Sequence, residues 1–318
     1  MANSNKSKRT RSYIALLLVL ALLFAIDYFM GDPAGVMAPL ETVESSPAPQ
    51  TPASSSDAVR GTVEVYLLDV GQGDSIFLKS PSGKTMLIDA STSDMAEKID
   101  EFLQKQNVTR LDVVIGTHPH ADHIGGMRKI ISKYDVGVYY MPDAVNNTSM
   151  FEKLVDELDA RNIPVEKAVG GADSFIDWDD KVEVRFFSPF PGASYEDLNN
   201  YSVVCHVRIG ETSIMLTGDA EEQAEEALMK EIPATLLRST VLKLGHHGSS
   251  SSTSEGFLNS VRPKLAVASL GADNEYGHPH QETLDKLKNA DIPLLRTDLS
   301  GTIHITLDGT GYKVETER

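Results

Sequence analysis

The chain has 318 residues, 41% hydrophobic and 24% charged, enough for one large globular domain or two ordinary ones. The first 60 residues hold five basic and five acidic side chains, so the net charge of −17 sits in residues 61–318, where 24 basic groups face 41 acidic ones. That balance argues against a passive nucleic-acid binder but leaves a metal-dependent nuclease open, because divalent ions neutralise acidic surroundings; the single cysteine, Cys205, excludes an intrachain disulfide and a thiolate zinc cage.

Residues 1–12 form a basic flank containing KSKRTR. Residues 13–30 are an apolar run broken only by Asp27, the pattern of a signal peptide or a transmembrane signal-anchor. Eighteen helical residues span about 27 Å, close to a bilayer core. The basic flank stays inside, so the remainder is expected outside the cytoplasm. It would be held to the membrane by one N-terminal helix, or secreted if the signal is cleaved. Residues 31–60, rich in Pro, Ser and Ala, read as an extended, disordered linker.

Residues 61–318 read as one folded domain. TVEVYLLDV, SIFLKS and TMLIDA predict three strands joined by the turns GQGD and PSG. A helix is expected from Met95 to Gln106, a buried strand LDVVIGT running up to His118, a helix over Ile124–Ser132, the strand VGVYYM and a helix over Phe151–Ala160. VEVRFF, SVVCHVRI and TSIMLTG predict further strands, the last ending at Asp219. A helix Glu221–Lys230, a strand STVLKLG running up to His246, a strand KLAVASL, a helix Gln281–Asn289 and a strand GTIHITL complete the series. Antiparallel hairpins followed by irregular alternation point to an α/β arrangement of two sheets with helices outside, rather than one doubly wound sheet.

The chemistry concentrates in HPHADH, where His118, His120, Asp122 and His123 follow a strand and precede Gly125-Gly126. Imidazoles with one carboxylate suit zinc, manganese or iron in a hydrolytic centre. Four ligand types in six positions at a strand-to-helix junction mark a site rather than a solvated loop. Asp219 closes an apolar strand as His118 does; its plain alternative is the N-cap of the following helix. Cys205 lies on the apolar face of its strand, while His206 and His304 are expected to point outward from theirs.

HxHxDH closed by glycines resembles the signature of the metallo-β-lactamase superfamily. With LLDVGQGDSIFL, MLIDA, NNYSVVCHVRIGETSIMLTGDAEE, VLKLGHHGSSSS and GADNEYGHPH, the chain resembles over residues 62–307 the extracytoplasmic hydrolase domain of ComEC-type competence proteins. The resemblance implies an αββα sandwich of two mixed sheets and two divalent ions, zinc or manganese. His118 and His120 would bind one, Asp122 and His123 the other, Asp219 would bridge them, and His246 or His247 would complete the second. Asp122 and whichever of His246 and His247 is not a ligand would take part in catalysis. A phosphodiester such as DNA is the implied substrate. A phosphorylcholine-type or other small-ester hydrolase and a non-catalytic tethered module are the alternatives, and no stable protein partner can be inferred.

Many members of the superfamily place a third histidine where this chain has Asn199 and Asn200, so an asparagine carbonyl or a water would stand in there, favouring manganese. Asp74 and Asp89 are expected to orient the ligand histidines. His278 is a candidate for substrate contact or the metal sphere, and Ser249 for a phosphate contact, although Ser252 to Glu255 reads as a capping box. The glycines let the next helix begin beneath the metals with its positive end toward a phosphate.

Overall fold

The structure is a computed structural model that describes residues 61–318. The flank, apolar run and linker expected in residues 1–60 lie outside the described residues. Among the described residues no helix is long and apolar enough to cross a membrane.

Strands β1 (Val63–Leu67), β2 (Ile76–Lys79) and β3 (Thr85–Ile88) form antiparallel hairpins. Helix α1 (Ala96–Lys105) leads to β4 (Arg110–Ile115), parallel to β3. Two short helices, α2 (Ala121–Ile124) and α3 (Met127–Lys133), lead to β5 (Asp135–Met141), and α4 (Ser149–Ala160) to β6 (Val165–Lys167). In the second sheet β7 (Phe175–Asp179), β8 (Val182–Ser188), β9 (Val204–Ile209) and β10 (Thr212–Leu216) run antiparallel. Helices α5 (Glu222–Glu231) and α6 (Ala234–Leu237), α7 (Glu255–Val261) and α8 (Gln281–Asn289) then precede the parallel strands β11 (Val241–Lys243), β12 (Leu265–Ala268) and β13 (Leu294–Arg296). After α9 (Thr297–Ser300), β14 (Ile303–Leu307) returns to pair with β1, and β15 (Tyr312–Thr316) closes that edge.

The result is an eight-stranded and a seven-stranded mixed sheet packed face to face. Side-chain alternation at period two explains the layers. Val63, Val65 and Leu67 of β1, Val113 and Ile115 of β4, and Cys205, Val207 and Ile209 of β9 fill the space between the sheets around Trp178. The outer face of the first sheet is covered through Ile99, Leu103, Ile130 and Leu154, and that of the second through Ala224, Leu228, Phe257 and Leu287. Each such side chain contributes about 1.5–3 kcal/mol by leaving water.

Several expectations change. The helix over Ile124–Ser132 is two helices meeting at Gly125-Gly126, where backbone approach dictates glycine: a Cβ on Gly126 would lie 2.3 Å from the Ala90 carbonyl oxygen. The glycines therefore serve close packing against the loop after β3. His206 does face away from the inter-sheet core, but toward the helix layer: it is 2% exposed and its ring stacks on Phe187 at 5.0 Å. His304 is partly exposed, stacked on Tyr66 and paired with Glu64. β6, β7, β13 and β15 are strands beyond those expected: they are three to five residues long and largely exposed at the sheet edges, which leaves little apolar pattern to read.

The parallel strands β3 and β4 of one sheet and β10, β11 and β12 of the other end at the same rim of the sandwich. The Val203 amide donates across the sheets to the Thr117 carbonyl at 2.9 Å, fixing the two sets of strand ends against each other.

Candidate metal centre

Every prominent side chain of the site follows the C-terminal end of a strand. Asp89, after β3, is buried in a left-handed conformation, φ 59°. It accepts from the Thr117 amide at 2.8 Å, from Thr117 Oγ1 at 2.6 Å and from His123 Nδ1 at 2.7 Å. That last bond fixes the tautomer of His123 and leaves Nε2 facing Asp219 Oδ2 at 3.1 Å. Asp89 thus sets the orientation of the His123 ring.

Asp219 follows β10. Its amide donates to Ser202 Oγ at 3.0 Å, and the same hydroxyl lies 3.3 Å from His118 Nδ1. Asp219 is not the helix cap: α5 starts at Glu222, and the Asn200 side-chain carbonyl accepts from the Glu221 and Ala224 amides at 3.3 and 3.1 Å. Asn200 performs the capping and so does not present its oxygen to a metal. Asn199 is buried with Oδ1 unpartnered, while its Nδ2 approaches His246 Nδ1 at 3.4 Å.

β11 delivers GHHG, in which His246 and His247 both adopt left-handed backbone angles that non-glycine residues populate at a cost. The twist sends the two rings to different places. His247 is 1% exposed; its Nδ1 donates to the Ser269 carbonyl at 2.8 Å, and Nε2 lies 3.4 Å from Asp219 Oδ2 and 3.5 Å from Asp122 Oδ2. His246 sits at the rim, its Nδ1 donating to Glu221 Oε1 at 2.9 Å and its Nε2 3.9 Å from Asp219 Oδ2. The pair that the sequence left unresolved is thereby separated, with His247 inside the cluster.

Asp122, His123, Asp219 and His247 each offer one ligand atom, and these atoms lie within 4.8 Å of one another. His123 Nε2, His247 Nε2 and Asp219 Oδ1 are buried without a well-formed hydrogen bond, as ligands awaiting a cation are. Titration behaviour agrees. Burial opposes protonation of His247, but Asp219 and Asp122 outweigh it and push its pKa up to about 9. Burial opposes it at His123 also, where Asp219 and Asp89 hold the pKa well above the ordinary value. Asp122 and Asp219 stay ionised despite burial because these histidines face them. The cluster stabilises positive charge at its centre, and its donor set fits a divalent ion.

On the other side of Asp219, His118 Nε2 and His120 Nδ1 are 3.0 Å apart, with Asp219 Oδ2 3.9 Å from His118 Nε2. Burial, reinforced by the nearby His123, lowers the His118 pKa and keeps it a neutral donor. This pair forms a second, more open position without a third histidine.

Asp74 departs from expectation. It is buried, but its close partner is Lys243 at 2.7 Å rather than a histidine, with His247 Nδ1 3.7 Å away. Lys243, at the end of β11, is 0% exposed, and its ammonium also donates to the carbonyls of Gly218 at 2.9 Å and Leu244 at 3.0 Å. All three donors are used, joining the loops that carry Asp74, Asp219 and the two histidines. Sequence reasoning missed Lys243, Ser202 and Glu221; the one available signal for Lys243 was a charge inside an apolar strand.

His278 lies over the cluster, 5.4 Å from the His246 ring and 6.2 Å from the His247 ring, with Nδ1 unpartnered. Ser249 is held within its own turn, bonded to Ser251 at 2.8 Å and to the His246 carbonyl through its amide at 2.8 Å, and is not free for a phosphate. The capping box at Ser252 gives way to Ser254, whose Oγ accepts from the Phe257 amide; the Glu225 carboxylate takes the amides of Thr253 and Ser254.

A family model described as the metallo-beta-lactamase superfamily matches residues 68–272. The chain is 32% identical over 258 residues to ComE operon protein 3 of Bacillus subtilis, covering 76% of this chain and 32% of that protein. It is 32% identical over 252 residues to competence protein ComA of Neisseria gonorrhoeae, covering 79% of this chain and 33% of that one. The chain thus spans about a third of the length of these curated relatives. Among solved structures, CmlA, a diiron beta-hydroxylase from Streptomyces venezuelae, superposes with a TM-score of 0.50 at 14% identity, covering 78% of this chain and 54% of that one, a likeness of fold alone. The family match, the relatives and a His/Asp metal site at the junction of two mixed sheets lead to one conclusion: the chain belongs to the metallo-beta-lactamase superfamily and is related to its ComEC-type competence proteins.

Proposed function

We propose that the chain is an extracytoplasmic, metal-dependent phosphodiesterase that cleaves DNA. The observation carrying this reading is the four-donor cluster of Asp122, His123, Asp219 and His247, with His118 and His120 across Asp219. The cluster would hold one divalent ion, and the open pair with Asp219 a second. Imidazole favours zinc, and the Asn199 oxygen in place of a histidine favours manganese at the open position. Bound there, the ions would acidify a water for in-line attack and offset charge developing on the phosphoryl oxygens. No serine or cysteine nucleophile is required.

The chain's own residues prepare the rest. Asp89 and the Ser269 carbonyl hold His123 and His247 with Nε2 inward. Glu221 holds His246 Nδ1–H, so His246 Nε2 faces the cluster from the solvent side, placed to pass a proton to the leaving oxygen. Outside the cytoplasm, export and membrane attachment would fall to residues 1–30.

The test is cleavage of single- and double-stranded DNA by the full chain loaded with Mn2+ or Zn2+. The Asp122→Ala protein is expected to lose at least about 100-fold. Equal cleavage by both proteins overturns the reading.

A second reading is supported by an open cavity of about 410 Å³ beside His246, lined by Glu196, Asp197, Asn200, Glu221, Glu222, Gln223 and Ser251. Its acidic wall suits a cationic small ester of the phosphorylcholine type better than a polyanion. Comparing p-nitrophenyl phosphorylcholine with bis-p-nitrophenyl phosphate and DNA separates the two.

A further inference from the structure

A phosphodiesterase with this much negative charge must hold a polyanion with few cations, and its acidic cavity closes one side of the site to phosphates. The loop over His247 is aromatic. Tyr276 is 66% exposed, among the most exposed large hydrophobic side chains of the described residues. Its ring stacks on His278 with centroids 5.6 Å apart and planes 22° apart; His278 in turn stacks on His247 at 6.2 Å and 29°. A row of near-parallel rings therefore runs from the buried cluster to solvent.

The backbone that carries the exposed ring is held in place. Asn274 donates to the carbonyls of Gly271 at 3.0 Å and His278 at 2.7 Å, and accepts the His278 amide at 2.9 Å. The Tyr276 carbonyl accepts from His280 Nε2 at 3.0 Å. The loop that presents the ring is thus ordered before any ligand arrives, and the stack on His278 gives the ring one supporting face, as a preorganised contact surface needs. Phe175, also exposed, is covered by Arg185 at 4.0 Å and has no such link to the site.

We infer that Tyr276 is a stacking platform for an unpaired nucleobase next to the scissile phosphate, and that it makes single-stranded DNA the preferred substrate. The inference rests on the phosphodiesterase reading above. A base stacked on Tyr276 extends the ring row, and stacking supplies affinity without positive charge. Bases in a duplex are already stacked and paired, so they can reach the platform only after extrusion.

The test uses the metal-loaded full chain, a fluorescent single-stranded oligonucleotide and the same oligonucleotide with abasic sites flanking the cleavage position. Tyr276→Ala is expected to raise KM for the intact strand about 10- to 100-fold, with kcat within about twofold, and Tyr276→Trp to restore it. On the abasic strand, wild type and Tyr276→Ala should be alike. Equal KM for wild type and Tyr276→Ala on the intact strand overturns the inference, as does an equal loss on both strands. Failure of the phosphodiesterase reading looks different: the wild type then cleaves neither bis-p-nitrophenyl phosphate nor DNA. Oligonucleotide binding by anisotropy decides the platform in that event, since a tenfold loss in Tyr276→Ala supports it and equal or absent binding overturns it.

Discussion

His246 and His247 show how much one residue step decides. Both sit in left-handed backbone, so successive side chains diverge, one into the buried cluster and one to its rim. Replacing His247 by Ala removes a donor from the four-atom set, and the purified protein should carry about one equivalent less metal by elemental analysis. His246→Ala should keep the ion of that position and lose about 10²- to 10⁴-fold in kcat, the range of a missing proton donor. Equal metal loss in both variants would contradict the separation. Lys243 acts at the same scale. Lys243→Met leaves the buried Asp74 carboxylate unpaired and the Gly218 and Leu244 carbonyls without a donor. Breaking one half of a buried ion pair costs about 3–5 kcal/mol, so the urea midpoint should fall accordingly. Asp74→Asn in the same chain should recover part of the loss, and a cost below about 1 kcal/mol would mean that Lys243 ties nothing together.

The elements carry the site through their ends. α5 begins three residues after Asp219, and Asn200 satisfies its first free amides. Asn200→Ala should cost about 1 kcal/mol, as lost caps do, without changing metal content, because its oxygen is committed to the helix. β9 carries a different liability. His206, sealed between that strand and the helix layer, has its pKa lowered by burial to about 4. The unfolded chain takes up this proton as pH falls below about 6.5. Neutral His206 therefore contributes its full stability above about pH 6.5 and loses it progressively down to about pH 4, a change of the order of 3 kcal/mol. His206→Phe, which keeps a ring against Phe187, should remove this part of the acid sensitivity in urea titrations at pH 7 and 4.5. An unchanged slope between those pH values would show that the histidine protonates without opening the fold.

These elements also show what was legible in the sequence and why. β1, β4, β9 and β10 announce themselves because one face or both are apolar, and the candidate ligands His118 and Asp219 stand where such runs stop. The short connections are different. Asn200, Glu221 and Lys243 take their meaning from partners 21, 25 and 169 positions away: Asn200 from α5, Glu221 from His246, and Lys243 from Asp74. No local pattern encodes those pairings, so Asn200 read as a possible ligand and Lys243 as part of a strand. His206 was read correctly for its face but not for what covers it, because the helix layer over the second sheet comes from residues that follow β10.

The whole molecule is two sheets that meet at the donor cluster. HPHADH belongs to the first sheet, and Asp219 and His247 to the second. Direct polar links cross that junction from Val203 to Thr117, from Ser202 to His118, from Lys243 to Asp74, and through the histidine–aspartate contacts themselves. A cation held by Asp122 and His123 on one side and Asp219 and His247 on the other would bind only the closed sandwich. Such binding raises stability by about 2.7 kcal/mol when free metal is 100 times its Kd. Chelation should therefore lower Tm, and restoring Mn2+ or Zn2+ should raise it in proportion to the logarithm of concentration. Both halves should melt in one transition, because the donors of each half are useless to the ion alone. In Asp122→Ala most of the metal-dependent shift should vanish, because the carboxylate that faces His247 Nε2 at 3.5 Å is gone from the donor set. A full shift in Asp122→Ala would place the stabilising ion elsewhere, and two separate transitions would mean that the sheets fold independently of the centre between them.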